Sequence, residues 1–324
     1  MLVSVLLFAV GLVLLIKGGD WFVDGATGIA KRFHLPDIVV GATVVSIGTT
    51  LPEVMVSTTG ALAGSGAMAY GNAIGSIICN TSLIAAISIV CNPGPVNTKS
   101  MKTPAIFFFA SAGLYCLASY VLGTFPRWMG FVMLSIFVVY MILTVRNGMK
   151  NPDEAHDEEE TESKQRTLLM ELVLLVAGAA IIAVGADLLV DHGQIIAIGL
   201  GVPETVVALL FVALGTSLPE LVTTITSLRS GHASLGVGNV IGANVFNLVL
   251  VSGVAVSLAP FDVPCENFLL NTGLNMSLVF EIPVMLGVMA LMIFPTLASK
   301  KLERWQGITL LCIYAAFCVC QFVL

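Results

Sequence analysis

The chain has 324 residues, 57% of them apolar and only 10% charged, with a formal net charge of -6. Its mean hydropathy of +0.99 excludes a soluble globular domain of this size and points to a chain that lives in a bilayer.

Crossing a bilayer as a helix takes about 20 apolar residues. Ten such stretches are predicted, at roughly 2–30, 37–62, 68–90, 104–123, 126–146, 167–190, 203–228, 235–258, 274–297 and 305–324. The first carries Lys17 and Asp20, so it is expected to tilt or to end near the interface. It lacks a basic leader and a small-residue cleavage site, and reads as a retained helix rather than a signal peptide. The second holds GTTLPE, residues 48–53, and the third holds GNAIGSIICN, residues 71–80. After the fifth comes NPDEAHDEEETESKQR, 151–166. This is read as a solvated acidic linker. A calcium-sensing role is the weaker reading, because the spacing lacks the glycine and the ligand ladder of an EF-hand. The seventh stretch holds GTSLPE, 215–220, and the eighth holds GNVIGANVFN, 238–247.

The halves repeat. A shift of 167 positions lays Asp20 on Asp187, Asp24 on Asp191 and Pro36 on Pro203. It lays Gly48, Thr49, Leu51, Pro52 and Glu53 on Gly215, Thr216, Leu218, Pro219 and Glu220. It also lays Asn72 and Asn80 on Asn239 and Asn247, without a gap. Five spans per half is an odd number, so the second half enters the membrane inverted. That is the plan of many secondary transporters, with the substrate near the midplane between the repeats. The expected fold is therefore an all-α membrane protein of ten transmembrane helices in two inverted-topology repeats of five. Residues 1–150 and 167–324 form the repeats and 151–166 the linker. A duplication without mechanistic meaning is the competing reading. The matched positions speak against it, since they are polar residues inside membrane spans.

Charge sets the orientation. With the N-terminus outside, twelve of the 14 basic residues fall on the cytoplasmic side, Arg127 falls outside and Lys17 lies within a span. This bias predicts both termini outside the cell membrane. The cysteines lie mostly in apolar stretches and behave as small hydrophobes. A disulfide between Cys91 and Cys265 is not expected, since they fall on opposite sides. His34, His156, His192 and His232 fall in predicted loops or helix ends and are read as solvated.

A carboxylate inside a span is costly and is kept where it faces a cavity or a cation. No basic residue lies in spans two, three, seven and eight except Arg229 at a loop end, so Glu53 and Glu220 lack an obvious ion-pair partner. Pro52 and Pro219 remove a backbone donor and free the carbonyls of Gly48 and Gly215. Freed carbonyls at that depth are tolerated when they line a cavity. Thr49 and Thr50 share a helix face with Glu53, while Asn72, Ser76 and Asn80 form one stripe. The second half offers Thr216, Ser217, Glu220, Asn239 and Asn247, with Ala243 in place of Ser76. Two carboxylates with hydroxyl, amide and carbonyl oxygens suit calcium, or sodium ions, or protons. No thiol or imidazole lies among these positions, which argues against zinc and copper.

The doubled motifs GTTLPE with GNAIGSIICN and GTSLPE with GNVIGANVFN resemble the two alpha-repeats of the cation/calcium exchanger superfamily, and most of all its prokaryotic sodium/calcium antiporters. The resemblance covers the whole chain. It implies exchange of calcium for sodium by alternating access, with Glu53 and Glu220 bridging both ions. It implies main-chain or hydroxyl ligands at Ser46, Thr49, Thr50, Ala213, Thr216 and Ser217, with Ser76 and Asn80 facing them. Spans one and six, with Asp20 and Asp187, would slide across the core. Two departures stand out. Ala243 takes the place of a serine found in some members, and Asn247 that of an aspartate. With Asn80 and Asn247 the cavity holds two carboxylates, which speaks against potassium co-transport. The linker is too short for the calcium-sensing domains of animal exchangers.

The expectation is an electrogenic calcium/sodium antiporter that normally extrudes calcium. It needs no cofactor, and its partners are the two ions and the lipid bilayer, with no nucleic acid. Nothing in the sequence demands a partner chain, so a monomer is expected. A proton-coupled antiporter for calcium or another divalent cation is the alternative. A passive channel would usually need subunits around an axis. A membrane enzyme would need a nucleophile–base pair or a metal motif such as HExxH, and neither occurs.

Overall fold

The computed structural model describes residues 2–150, 166–200, 215–264 and 275–323. A backbone in lipid must satisfy its own polar groups, and helices do so within one segment. The chain is accordingly helical. In order it forms α1 (Leu2–Arg32), then α2 (Asp37–Thr49) and α3 (Leu51–Leu62), which meet at a bend of 45°. There follow α4 (Gly66–Cys91), α5 (Thr98–Leu122), α6 (Arg127–Met149) and α7 (Leu168–Gly199). The last four are α8 (Leu218–Arg229), α9 (Ala233–Leu258), α10 (Ser277–Ser299) and α11 (Arg304–Val323).

Among the described residues seven of these helices are long and apolar enough to cross a membrane, or eight if α2 and α3 count as one span. The other two expected spans correspond to α8 and α11. The first half of the span expected at 203–228 falls on 201–214, outside the described residues, as does most of the acidic linker. One boundary differs for a clear reason. The fourth span was expected from 104, because Lys99 and Lys102 read as loop. Instead the Asn97 side chain caps the helix, accepting from the Lys99 and Ser100 amides at 2.9 and 3.3 Å. Helix α5 thus begins a turn and a half earlier.

Two short antiparallel pairings mark the ends of the bundle. Strand β1 (Gly94–Pro95) pairs with β4 (Lys301–Leu302), and β2 (Thr124–Phe125) pairs with β3 (Phe261–Asp262). The β1–β4 end gathers basic residues, as the charge pattern requires. Arg127 lies at the other end, bonded to the Leu258 carbonyl at 3.0 Å. His232 is not simply solvated. Its Nδ1 lies 2.6 Å from Asp37 Oδ2 and ties the α8–α9 turn to the start of α2.

Burial sorts the helices. The apolar windows of α4 and α9 are 72% and 83% buried, against 28% and 22% for α1 and α7. The asparagine-bearing helices are therefore the centre, and α1 and α7 lie further out, against α2 and α8. These two outer helices pack backbone to backbone through glycines. A Cβ on Gly11 would come 2.9 Å from the Gly185 carbonyl, and one on Gly178 would come 2.9 Å from that of Gly18. The two contacts exchange under the 167-residue shift, since 11 maps to 178 and 18 maps to 185. An ion-pair clip closes one end of the pair. Arg32 bonds Glu171 at 2.8 Å and Arg166 bonds Asp24 at 3.0 Å. Asp20 pairs with Lys17 at 3.8 Å on the outer face and is half-exposed, so it stands apart from the buried glutamates.

Candidate cation-binding site

Glu53 and Glu220 sit in the first turns of α3 and α8, each directly after a proline. The residues at the two breaks match in conformation. Thr50 has φ -86° and ψ -2°, and Ser217 has φ -89° and ψ 3°. Both glutamates are 0% exposed. All four of their carboxylate oxygens lack a hydrogen-bond partner among the described residues. The two carboxylates lie within electrostatic reach of each other, and the Thr49 and Thr50 hydroxyls face Glu220. Thr50 Oγ1, Ser217 Oγ and both amide atoms of Asn80 and of Asn247 are likewise buried without a partner.

An unsatisfied buried polar group costs about 1–3 kcal/mol, and a buried unpaired charge costs more. A protein that gathers so many in one place needs a common partner for them. No arginine, lysine or histidine among the described residues pairs with either glutamate. The donor set is all oxygen apart from two amide nitrogens, with two negative charges. That chemistry suits a hard cation.

The backbone aims these groups. Asn80 and Asn247 each begin a π turn, Asn80–Ala85 and Asn247–Val251. A third π turn, Gly41–Val45, leads into Ser46. Such turns insert one residue and redirect a helix face, often at functional sites. Side chains close the widened turns. Ser46 Oγ donates to the Gly41 carbonyl at 2.8 Å and Ser252 Oγ to that of Asn247 at 2.9 Å.

Two further asparagines bracket the broken helices. Asn72 Nδ2 donates to the Glu53 carbonyl at 3.2 Å and to Ser57 Oγ at 2.8 Å, while its Oδ1 accepts from Thr216 at 3.4 Å. Asn239 Nδ2 donates to Thr223 Oγ1 at 2.9 Å, and its Oδ1 accepts from Thr49 at 3.1 Å and Ser46 at 3.3 Å. The Thr216–Asn72 and Thr49–Asn239 bonds exchange under the same shift. Each threonine donates its proton to the asparagine of the other half, which keeps its oxygen lone pairs available. Ser76 is buried one turn before Asn80. Ala213 falls outside the described residues. The bracketing role of Asn72 and Asn239 was not anticipated, although the repeat and the helical stripe had singled both out. Ser57 and Thr223 carried no signal at all. Nor did a bridge in which Asn244 Nδ2 donates to Thr81 Oγ1 at 2.7 Å beside Met289.

Comparison with known proteins decides the family. The profile of the sodium/calcium exchanger protein family matches residues 3–146 and 170–323. The chain belongs to this family. The sodium/calcium exchanger MaX1 of Methanosarcina acetivorans is 30% identical, with 99% of each chain covered. An uncharacterized membrane protein of Methanocaldococcus jannaschii is 33% identical over 95% of this chain and 94% of its own. Among solved structures, the sodium-calcium exchanger NCX_Mj, in a crystal soaked with sodium and strontium, matches with a TM-score of 0.79 at 31% identity and 97% coverage of both chains. This exchanger is thus a membrane transporter rather than an enzyme. Its family carries sodium and calcium and uses no cofactor.

Proposed function

We propose that this exchanger moves calcium against sodium across the cell membrane by alternating access, electrogenically and normally outward. The observation that carries the reading is the pair of fully buried, unpartnered carboxylates among unpartnered amide and hydroxyl oxygens. Calcium takes six to eight oxygen ligands, and two carboxylates balance its charge. The ligands are Glu53, Glu220, Thr49, Thr50, Thr216, Ser217, Ser46, Ser76, Asn80 and Asn247, with the Ala213 backbone completing the set by the repeat. Ten spans in two inverted repeats, 1–150 and 167–324, hold them. The exchange-related contacts of α1 with α7, and of Asn72 and Asn239, support that plan. So do the matched starts at 3 and 170, which are 167 apart. The clustering of basic side chains at the β1–β4 end supports both termini outside. The working unit is one chain.

The test is calcium uptake into proteoliposomes loaded with sodium and diluted into sodium-free buffer, with a protonophore present. Uptake is expected to require internal sodium and to respond to membrane potential. Uptake that ignores sodium and follows an imposed pH gradient would replace sodium by protons.

The brackets give a second prediction. Asn239→Ala takes the shared amide from the Thr49, Ser46 and Thr223 hydroxyls; Ser46 and Thr223 keep backbone carbonyls, and Thr49 loses its hydrogen bond. At about 1–3 kcal/mol for such a loss, calcium affinity is expected to fall about tenfold or more. Calorimetric titration of the purified variant checks this, and wild-type affinity would remove Asn239 from the site's support.

A further inference from the structure

A second polar cluster lies inside the bundle, toward the β2–β3 end. Its centre is Glu281, at the end of a π turn that opens α10, Ser277–Glu281. Glu281 Oε2 accepts from Ser277 Oγ at 2.8 Å and Oε1 accepts from Gln321 Nε2 at 3.3 Å. Among the described residues no basic side chain pairs with it. One phenol points at this corner. Tyr70 is 1% exposed, and its hydroxyl is turned toward Ser119 and Ser277. Tyr115 is fully buried beside it, with ring centroids 5.7 Å apart and its hydroxyl toward Ser252. The Tyr70, Tyr115 and Ser119 hydroxyls are all buried without a hydrogen bond. Phe125 packs on both tyrosines, with ring centroids 6.0 and 4.7 Å away, and seals the corner.

The π turns divide between two places. Of the five among the described residues, three serve the central site. The other two, Leu117–Leu122 with Ser119 and Ser277–Glu281, meet at this cluster. Glu281 is half-buried and hydrogen-bonded, unlike the central glutamates, but other features of the central site recur. They are a carboxylate in a span, unpartnered buried oxygens, and helices widened to aim them. The charge differs. One carboxylate among neutral hydroxyls balances a single positive charge, and a divalent ion here would leave a buried excess.

We propose that Glu281, Ser277, Tyr70 and Ser119 form a second cation site, separate from Glu53 and Glu220, that takes one monovalent alkali ion, sodium in a sodium exchanger. The test is equilibrium binding of radioactive sodium to the purified full-length protein in calcium-free detergent. The wild type, Glu281→Gln, the double variant Glu53→Gln with Glu220→Gln, and the triple combination are compared. The double variant is expected to keep one sodium ion per chain, and adding Glu281→Gln is expected to remove it. Alone, Glu281→Gln should lower the sodium count by one and leave calcium binding in place. Tyr70→Phe and Ser119→Ala preserve the packing and should each weaken that sodium about tenfold, as loss of one oxygen ligand implies. They carry the test if Glu281→Gln fails to fold. A sodium count and affinity untouched by Glu281→Gln, Tyr70→Phe and Ser119→Ala would overturn the proposal, and so would a double variant that binds no sodium. Failure of the central-site reading looks different. The double variant would then keep calcium binding, whatever Glu281→Gln does to sodium.

Discussion

Glu53→Gln and Glu220→Gln are each expected to abolish sodium-dependent calcium uptake without unfolding the exchanger. Glutamine has the shape of glutamate, so the fully buried pocket is still filled. What changes is charge. A divalent ion between two carboxylates is neutralised, whereas beside one it keeps an uncompensated charge in a dry interior. Removing one member of a buried charge pair costs about 3–5 kcal/mol. That corresponds to roughly two to four orders of magnitude in affinity.

The same substitution should not harm the ion-free protein. There the two carboxylates have no hydrogen-bond or ion-pair partner among the described residues, so a neutral amide of the same shape removes no interaction that the ion-free protein makes. The check is thermal unfolding with and without calcium. Calcium at about 100 times its dissociation constant stabilises the wild type by about 2.7 kcal/mol. Each variant should melt at or above the ion-free wild type and show no calcium shift. A calcium shift and uptake both retained in Glu53→Gln would remove that residue from the ligand set.

Much of this site was legible in the chain. An apolar background makes each polar residue conspicuous, and the repeat showed which ones matter twice. Glu53, Glu220, Asn80 and Asn247 emerged on those grounds, as did the helix breaks at the prolines. The π turns did not. They depend on how neighbouring helices crowd, and Asn80 at the start of a π turn reads like any helical asparagine. The bracket was half visible. Asn72 and Asn239 matched under the shift, but a stripe along a helix does not reveal that the amide reaches across to the other half. The Asn244–Thr81 bridge was hidden for the opposite reason. The shift lays Asn244 on Ile77 and Thr81 on Leu248, so the repeat conceals it. The start of α5 was obscured by lysines, because hydropathy does not register a side-chain cap.

Gly238→Ala is expected to cost both stability and transport, with Gly242→Ala close behind. A small residue every fourth position lets two helices approach within the membrane. Here α2 and α9 use that approach fully. A Cβ on Gly238 would stand 2.2 Å from the Ile38 carbonyl oxygen, and one on Gly242 would stand 2.6 Å from the Ala42 Cα. Those atoms are backbone and cannot turn aside, so α2 must retreat by about an ångström to reach ordinary contact. Overpacking of this kind costs about 1–3 kcal/mol, sometimes more. The retreat also carries the site apart. Ser46 Oγ lies 3.0 Å from the Asn239 carbonyl and Thr49 donates to its side chain at 3.1 Å, and both contacts cross this interface. An added ångström breaks them and moves Thr49 away from Glu220. The control is Gly113→Ala, an exposed position on α5 where a Cβ would meet nothing within 4 Å. Melting temperature and calcium affinity are measured for all three. Gly238→Ala should lose both, and Gly113→Ala neither. A lowered melting temperature with calcium affinity equal to that of Gly113→Ala would mean that the site tolerates movement of α2. In that case the close approach of the glycines serves packing alone, and the geometry of the carboxylates is set by the breaks at Pro52 and Pro219.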